Sequence, residues 1–199
     1  MTPRSAHGVV PGGNGGPEKV PALPGLLDDR SSPGFRDAFG RLITGASRAQ
    51  VAVRRIRLSG VDLRSHEVQG LGTLRVLTTE VNAHSLGLEA EALARDSARR
   101  SNLALVRRLF ERGVVEVRAA PLGGWSPDFS IFHTPEGPSG LLVGPHRFDR
   151  SFPLRGPALA SVHGPGSARR LSERFESLWE DAYEVGPAVL AILERAPTG

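Results

Sequence analysis

Residues 129–148 read FSIFHTPEGPSGLLVGPHRF: an apolar run closing on His133, a Gly/Pro turn, and a second apolar run leading to His146. Two strands of this kind can deliver polar side chains to one edge of a sheet. A histidine placed there can act as general base, nucleophile or metal ligand. His133 and His146 are therefore the candidate catalytic residues. Glu136, Asp149 and His163 stand at or near the ends of the same runs, and a His/His/carboxylate set can hold a divalent ion. Their spacings of three, ten, three and fourteen residues fit no metal motif, so neither metal nor cofactor is expected. The turn GPHRFDR adds Arg147 and Arg150, with Arg155 just beyond, and Gly144 opens it. Gly144, Arg147 and Arg150 form a candidate anion site, since guanidinium groups grip phosphate in bidentate fashion. The plainer alternatives are a strand-end His133 bonded to backbone, and arginines paired with Asp149 on a solvated face.

The composition removes other chemistries. The chain of 199 residues has no cysteine, which excludes disulfides, thiolate catalysis and Cys-type zinc sites together. Of 25 basic residues only Lys19 is lysine, so residues 33–199 contain none. Three basic and three acidic residues fall in the first 32, which leaves 22 against 18 beyond them. That excess is a weak case for nucleic acid or a phosphorylated ligand. The arginines of 95–112 (Arg95, Arg99, Arg100, Arg107, Arg108, Arg112) make the best basic surface, but no aromatic residues are interleaved for base stacking. Trp125, in a Gly/Pro loop, is either a ligand contact or a loop anchor. The opening segment lacks the apolar core of a signal peptide, and VGPAVLAIL is far shorter than the ~20 residues that span a bilayer. The expectation is a cytoplasmic protein without a membrane segment.

These residues need elements to position them. Residues 1–32 hold eleven Gly and Pro without hydrophobic periodicity and are expected to form a disordered tail. A domain of residues 33–199 follows. Ser32 and Pro33 suit a helix start, with Phe35, Phe39, Leu42, Ile43 and Ala46 on one face. Val51, Val53 and Ile56 mark a strand, and TLRVLTTEV a second. Residues 86–112 predict one or two helices, clearest at Leu103, Val106, Leu109 and Phe110, with Arg107, Arg108, Glu111 and Arg112 facing water. Gly113 ends that stretch. Four strands follow: VVEVRAAP, DFSIFH, SGLLVGP and PALASVH. Ser167 is the expected N-cap of a closing helix whose stripe is Leu171, Phe175, Leu178, Trp179 and Ala182. Gly186-Pro187 breaks it before a short last helix. The fold class is α/β: one mixed sheet flanked by helices in a single domain.

Several phrases in this order resemble one repeat of the phospholipase D-like (HKD) superfamily. FRDAFGRLITGASRAQVAVRRI is similar to its opening helix and strand, and LALVRRLFERGVVEVRAAP to the helix, Gly stop and strand before the catalytic segment. GLLVGPHRF resembles the strand that ends in Gly-Ser-x-Asn, and ARRLSERFESLWEDA the closing helix; together these phrases span residues 33 to 185. The resemblance implies phosphodiester chemistry through His-x-Lys, four residues and Asp, with a second copy supplying the leaving-group acid. A single-repeat chain would need a homodimer for that. With Gly144 as the motif glycine, the His position is Ser130, the Lys position Phe132 and the Asp position Gly137. The Ser and Asn positions are Pro145 and Arg147. Sliding the register to make His133 the catalytic histidine puts Pro135 and Gly140 at the Lys and Asp positions. Neither register supplies a lysine. The resemblance thus implies a catalytically degenerate domain that serves as a binding or dimerisation module, with phosphate or nucleic-acid backbone as ligand. The alternative is an active phosphodiesterase or hydrolase using non-standard His and acidic residues, with or without a metal.

Overall fold

The computed structural model describes residues 39–58, 65–121, 128–143 and 160–196; for 141–143 and 160–163 only the backbone is described. The expected tail, the Ser32–Pro33 helix start and Trp125 lie outside these residues. So does the whole turn with Gly144, His146, Arg147, Asp149, Arg150 and Arg155.

The chain begins with a helical stretch, α1, at 39–44. Strands β1 (Arg48–Arg55) and β2 (Thr73–Glu80) lead to helices α2 (Ala83–Arg95) and α3 (Arg100–Glu111). Then come β3 (Val115–Ala119), β4 (Asp128–Thr134), β5 (Gly137–Val143) and β6 (Ala160–His163). Helix α4 (Pro165–Glu180), a short β7 (Tyr183–Glu184) and α5 (Gly186–Arg195) complete it. The sheet has the order β6-β5-β4-β1-β2-β3-β7. Strands β1, β2 and β3 run parallel, and β4, β5, β6 and β7 each pair antiparallel with a neighbour. This is the expected α/β architecture, a mixed sheet flanked by helices.

Local chemistry sets the boundaries. The Asn82 side chain accepts from the Ser85 amide and starts α2. The predicted stretch at 86–112 resolves into two helices because the Asp96 carboxylate accepts from the Ala98 amide and turns the chain between them. Gly113, at φ 67°, closes α3: its amide bonds to Phe110 and that of Val114 to Leu109, the paired bonds of a Schellman stop. Helix α4 is not capped by Ser167. Its N-cap is Gly164, and Pro165 takes the first turn, where a missing N–H costs nothing. Ile56 falls just past β1 rather than within it. The two-residue β7 carried no sequence signal.

The central strands β1, β2 and β4 turn side chains to two apolar environments, one on each face of the sheet. Ala52, Leu77, Phe129 and Ile131 face α4 and pack with Phe175 and Trp179. The opposite face meets α1, α2, α3 and α5 in two separate clusters. Gly140 lets α4 lie close on β5, because a Cβ there would sit 3.5 Å from Ala168 Cα and 3.4 Å from Leu171 Cδ1. Buried Ala168, Ser172, Phe175 and Trp179 form the helix stripe, flanked by half-buried Leu171 and Leu178. Ser172 is a polar residue in an apolar row, and it leads to the site.

Candidate functional site

His133 is the described member of the candidate pair. It stands near the end of β4, opposite Arg48 at the start of β1 and opposite Pro138 in the hairpin. Because β4 and β5 form an antiparallel hairpin, their far ends cannot share an edge. Val143, the last described residue before Gly144, pairs with Asp128. The chain thus leaves toward Gly144 at the edge opposite His133, five rungs or ~17 Å away. The described end of β5 and His133 thus stand at opposite edges, while His146 itself lies outside the described residues. His163 in β6 pairs with Gly140, not with the rung of His133, and Glu136 is exposed in the hairpin turn. No group of three or more His, Asp or Glu side chains suited to a metal ion occurs among the described residues.

The imidazole of His133 joins a polar cluster between the sheet and α4. Its Nε2 lies 2.9 Å from Gln50 Oε1 and 3.2 Å from an Arg48 guanidinium nitrogen. Gln50, fully buried, also accepts from the Ser172 hydroxyl at 2.8 Å and donates from Nε2 to Glu176 Oε1 at 2.6 Å. Arg75 donates to the other Glu176 oxygen at 3.3 Å, and Arg48 approaches Glu176 at 3.6 Å. Glu116 stands 3.7 Å from Arg75. The Arg75 and Arg118 guanidiniums also sit over the Trp179 ring, 5.3 and 4.8 Å from its centroid.

These contacts settle the tautomer. Glu176 can only accept from Gln50, which fixes the carboxamide with its oxygen toward His133. Two acceptors cannot meet at 2.9 Å without a hydrogen, so Nε2 carries the proton and donates to Gln50. The Arg48 nitrogen is then a neighbouring charge rather than a hydrogen-bond donor to the ring. Burial first, and the Arg48 charge second, lower the His133 pKa, while Glu176 pulls it partly back. The ring is neutral at pH 7, with its Nδ1 lone pair unengaged among the described residues. His133 is therefore held by side chains; at its backbone, its carbonyl accepts from the Ser47 amide.

A second polar group occupies the edge from which the chain leaves toward Gly144. Asp128 Oδ1 accepts from the Arg54 amide at 3.0 Å, and the Thr78 and Thr79 hydroxyls donate to the Arg54 carbonyl. Burial raises the Asp128 pKa, against the lowering effects of the Arg54 amide and charge. Two rungs in, Ser130 is fully buried and its hydroxyl lacks a partner among the described residues. Phe132, also fully buried, meets Phe39 edge to face at 5.2 Å.

The basic helical surface is smaller than expected. Arg95 pairs with Glu91, Arg99 with Asp96, and Arg100 donates to the Ala94 carbonyl. Arg107 turns inward and donates to the Leu193 and Ala196 carbonyls at the end of α5. Sequence reasoning placed it in water because a helical wheel does not reveal a neighbouring helix's unsatisfied carbonyls. Arg48, Gln50, Ser172 and Glu176 went unread as site residues. The available signal was Ser172, four residues from Ala168 and three from Phe175, interrupting a buried stripe.

Among solved structures, the chain is similar to a phospholipase D family member, Nuc from Salmonella typhimurium. The two share 11% identity and a TM-score of 0.46, over 75% of this chain and 89% of that one. No protein-family model matches the chain, and no curated protein matches it in sequence. No helix among the described residues is long and apolar enough to cross a membrane.

Proposed function

We propose that residues 33–199 are a catalytically degenerate phospholipase D-like domain that works as a binding or dimerisation module. The observation that carries this reading is the state of Ser130 and Phe132. In the register anchored on Gly144 they take the nucleophile and lysine positions, and both are sealed in the core. Ser130 pairs with Leu141, two rungs from Val143, the last described residue before Gly144. The slid register fares worse: Pro135 sits in the exposed turn and Gly140 lies under Ala168. No lysine of residues 33–199 is available to hold developing phosphate charge. The ligand is an anion, phosphate or nucleic-acid backbone, gripped by Gly144, Arg147 and Arg150. The protein acts as a cytoplasmic homodimer.

Hydrolysis of bis-p-nitrophenyl phosphate by the full chain is the test. The expected rate equals background and does not respond to His133→Ala or His146→Ala. Turnover abolished by either substitution overturns the reading. One observation favours a second reading, a hydrolase with non-standard residues. The neutral His133, anchored through Nε2–H, presents Nδ1 as a base would. A pH–rate profile with a base limb that His133→Gln removes would support that reading.

A further inference from the structure

We infer that the sheet face opposite α4 carries a binding cavity for a small neutral apolar molecule, of benzene size or a short alkyl chain. This goes beyond the proposed function and shares no residue with its anion site. The cavity measures about 150 Å³ and lies between β1, β2 and β3 on one side and α1, α3 and α5 on the other. It runs along the seam between the two core clusters of this face. Leu74 and Leu109 border it from one cluster, Leu58 and Val189 from the other.

Three features separate it from ordinary packing. Protein interiors leave few voids larger than a water molecule. A sealed apolar cavity of about 150 Å³ lined by Leu, Ile and Phe takes up benzene or xenon, which sets the size of ligand that such a volume admits. Val51 and Val76, on central strands with neighbours on both sides, are nonetheless only half-buried, so the cavity communicates with solvent. The lining also sets the charge of the ligand. Arg55 and Arg57 border the cavity, but their guanidiniums are engaged by Glu80 and Glu89. An acid would bring a further negative charge beside those carboxylates, whereas a neutral hydrocarbon would not.

The test uses the full chain with benzene as probe. Benzene at about tenfold excess over its Kd is expected to raise the melting temperature by about 3–5 °C. Val76→Phe places a ring in the cavity and is expected to abolish that rise. Methyl resonances of Val51, Val76 and Leu109 should shift with benzene, while those of Leu77, buried on the other face, stay fixed. Absence of both the rise and the methyl shifts in the unaltered chain overturns the inference, as do shifts spread over both faces. If Val76→Phe does not fold, the methyl map alone decides. Benzoate binding as tightly as benzene would overturn the preference for a neutral ligand.

Discussion

Among the described residues, one face of the sheet carries a single helix, α4, tied to it by hydrogen bonds through Gln50; the other carries α1, α2, α3 and α5 around an open space. The first face is compact because polar and aromatic contacts fix one arrangement. Phe175 stacks on Trp179 at 5.5 Å and meets Phe129 edge to face at 6.5 Å, and Gln50 bonds to two side chains of α4 and to His133 of β4. The second face is apolar throughout its two clusters, and its valines leave volume unfilled. More helices do not make a tighter core. Directional bonds specify a single fit, whereas hydrophobic contact tolerates a gap.

Mutations on the two faces should therefore differ. The largest loss is expected at the aromatic stack, where Phe175→Ala should cost ~3–5 kcal/mol in urea unfolding. Val76→Ala on the opposite face borders existing empty space and should cost only ~1 kcal/mol, at the low end for a lost pair of methyl groups. Equal losses at the two positions would break the comparison. Gln50→Ala strips partners from Ser172, Glu176 and His133 together and is expected to cost ~1–3 kcal/mol.

Protonation probes the polar cluster around Gln50 more gently. The folded pKa of His133 is lowered, so below about 6.5 the unfolded chain binds a proton that the fold resists. Stability should fall as pH drops from 6.5 toward the lowered value, and His133→Gln should flatten that slope in urea midpoints. Asp128 has the opposite sign. Its folded pKa is raised, so its contribution is lost as pH rises from 3.8 through the raised value. Asp128→Asn should therefore hold or slightly gain stability at pH 7, while the same substitution in acid should not. The smallest effect belongs to the exposed helix surface, where Arg108→Ala should stay within about 0.5 kcal/mol.

Much of the fold was legible because its signals are local. Short apolar runs marked β1, β2 and β4, and Gly113 marked the stop of α3. The site was less legible because its partners are distant in the chain: Gln50 meets Ser172 and Glu176 across 122 and 126 residues. His133 stood out by type, but nothing local showed that a carboxamide would choose its tautomer. The hairpin was legible as well, yet its consequence went undrawn: antiparallel runs end at opposite edges. Arg107 shows the same limit, since its acceptors lie on α5, 86 and 89 residues away.

The central position of β1 has a further consequence for the order of assembly. One flank is filled by β2 soon after synthesis, but the other waits for β4, with 85 residues between Arg48 and His133. During that wait β1 is a growing sheet's open border, able to recruit any passing strand. Its sequence RAQVAVRR places arginines at both ends, the usual deterrent to such recruitment. A chain halted after β3 is expected to clump where the complete chain stays dispersed, because the strand that closes the border has not yet been made.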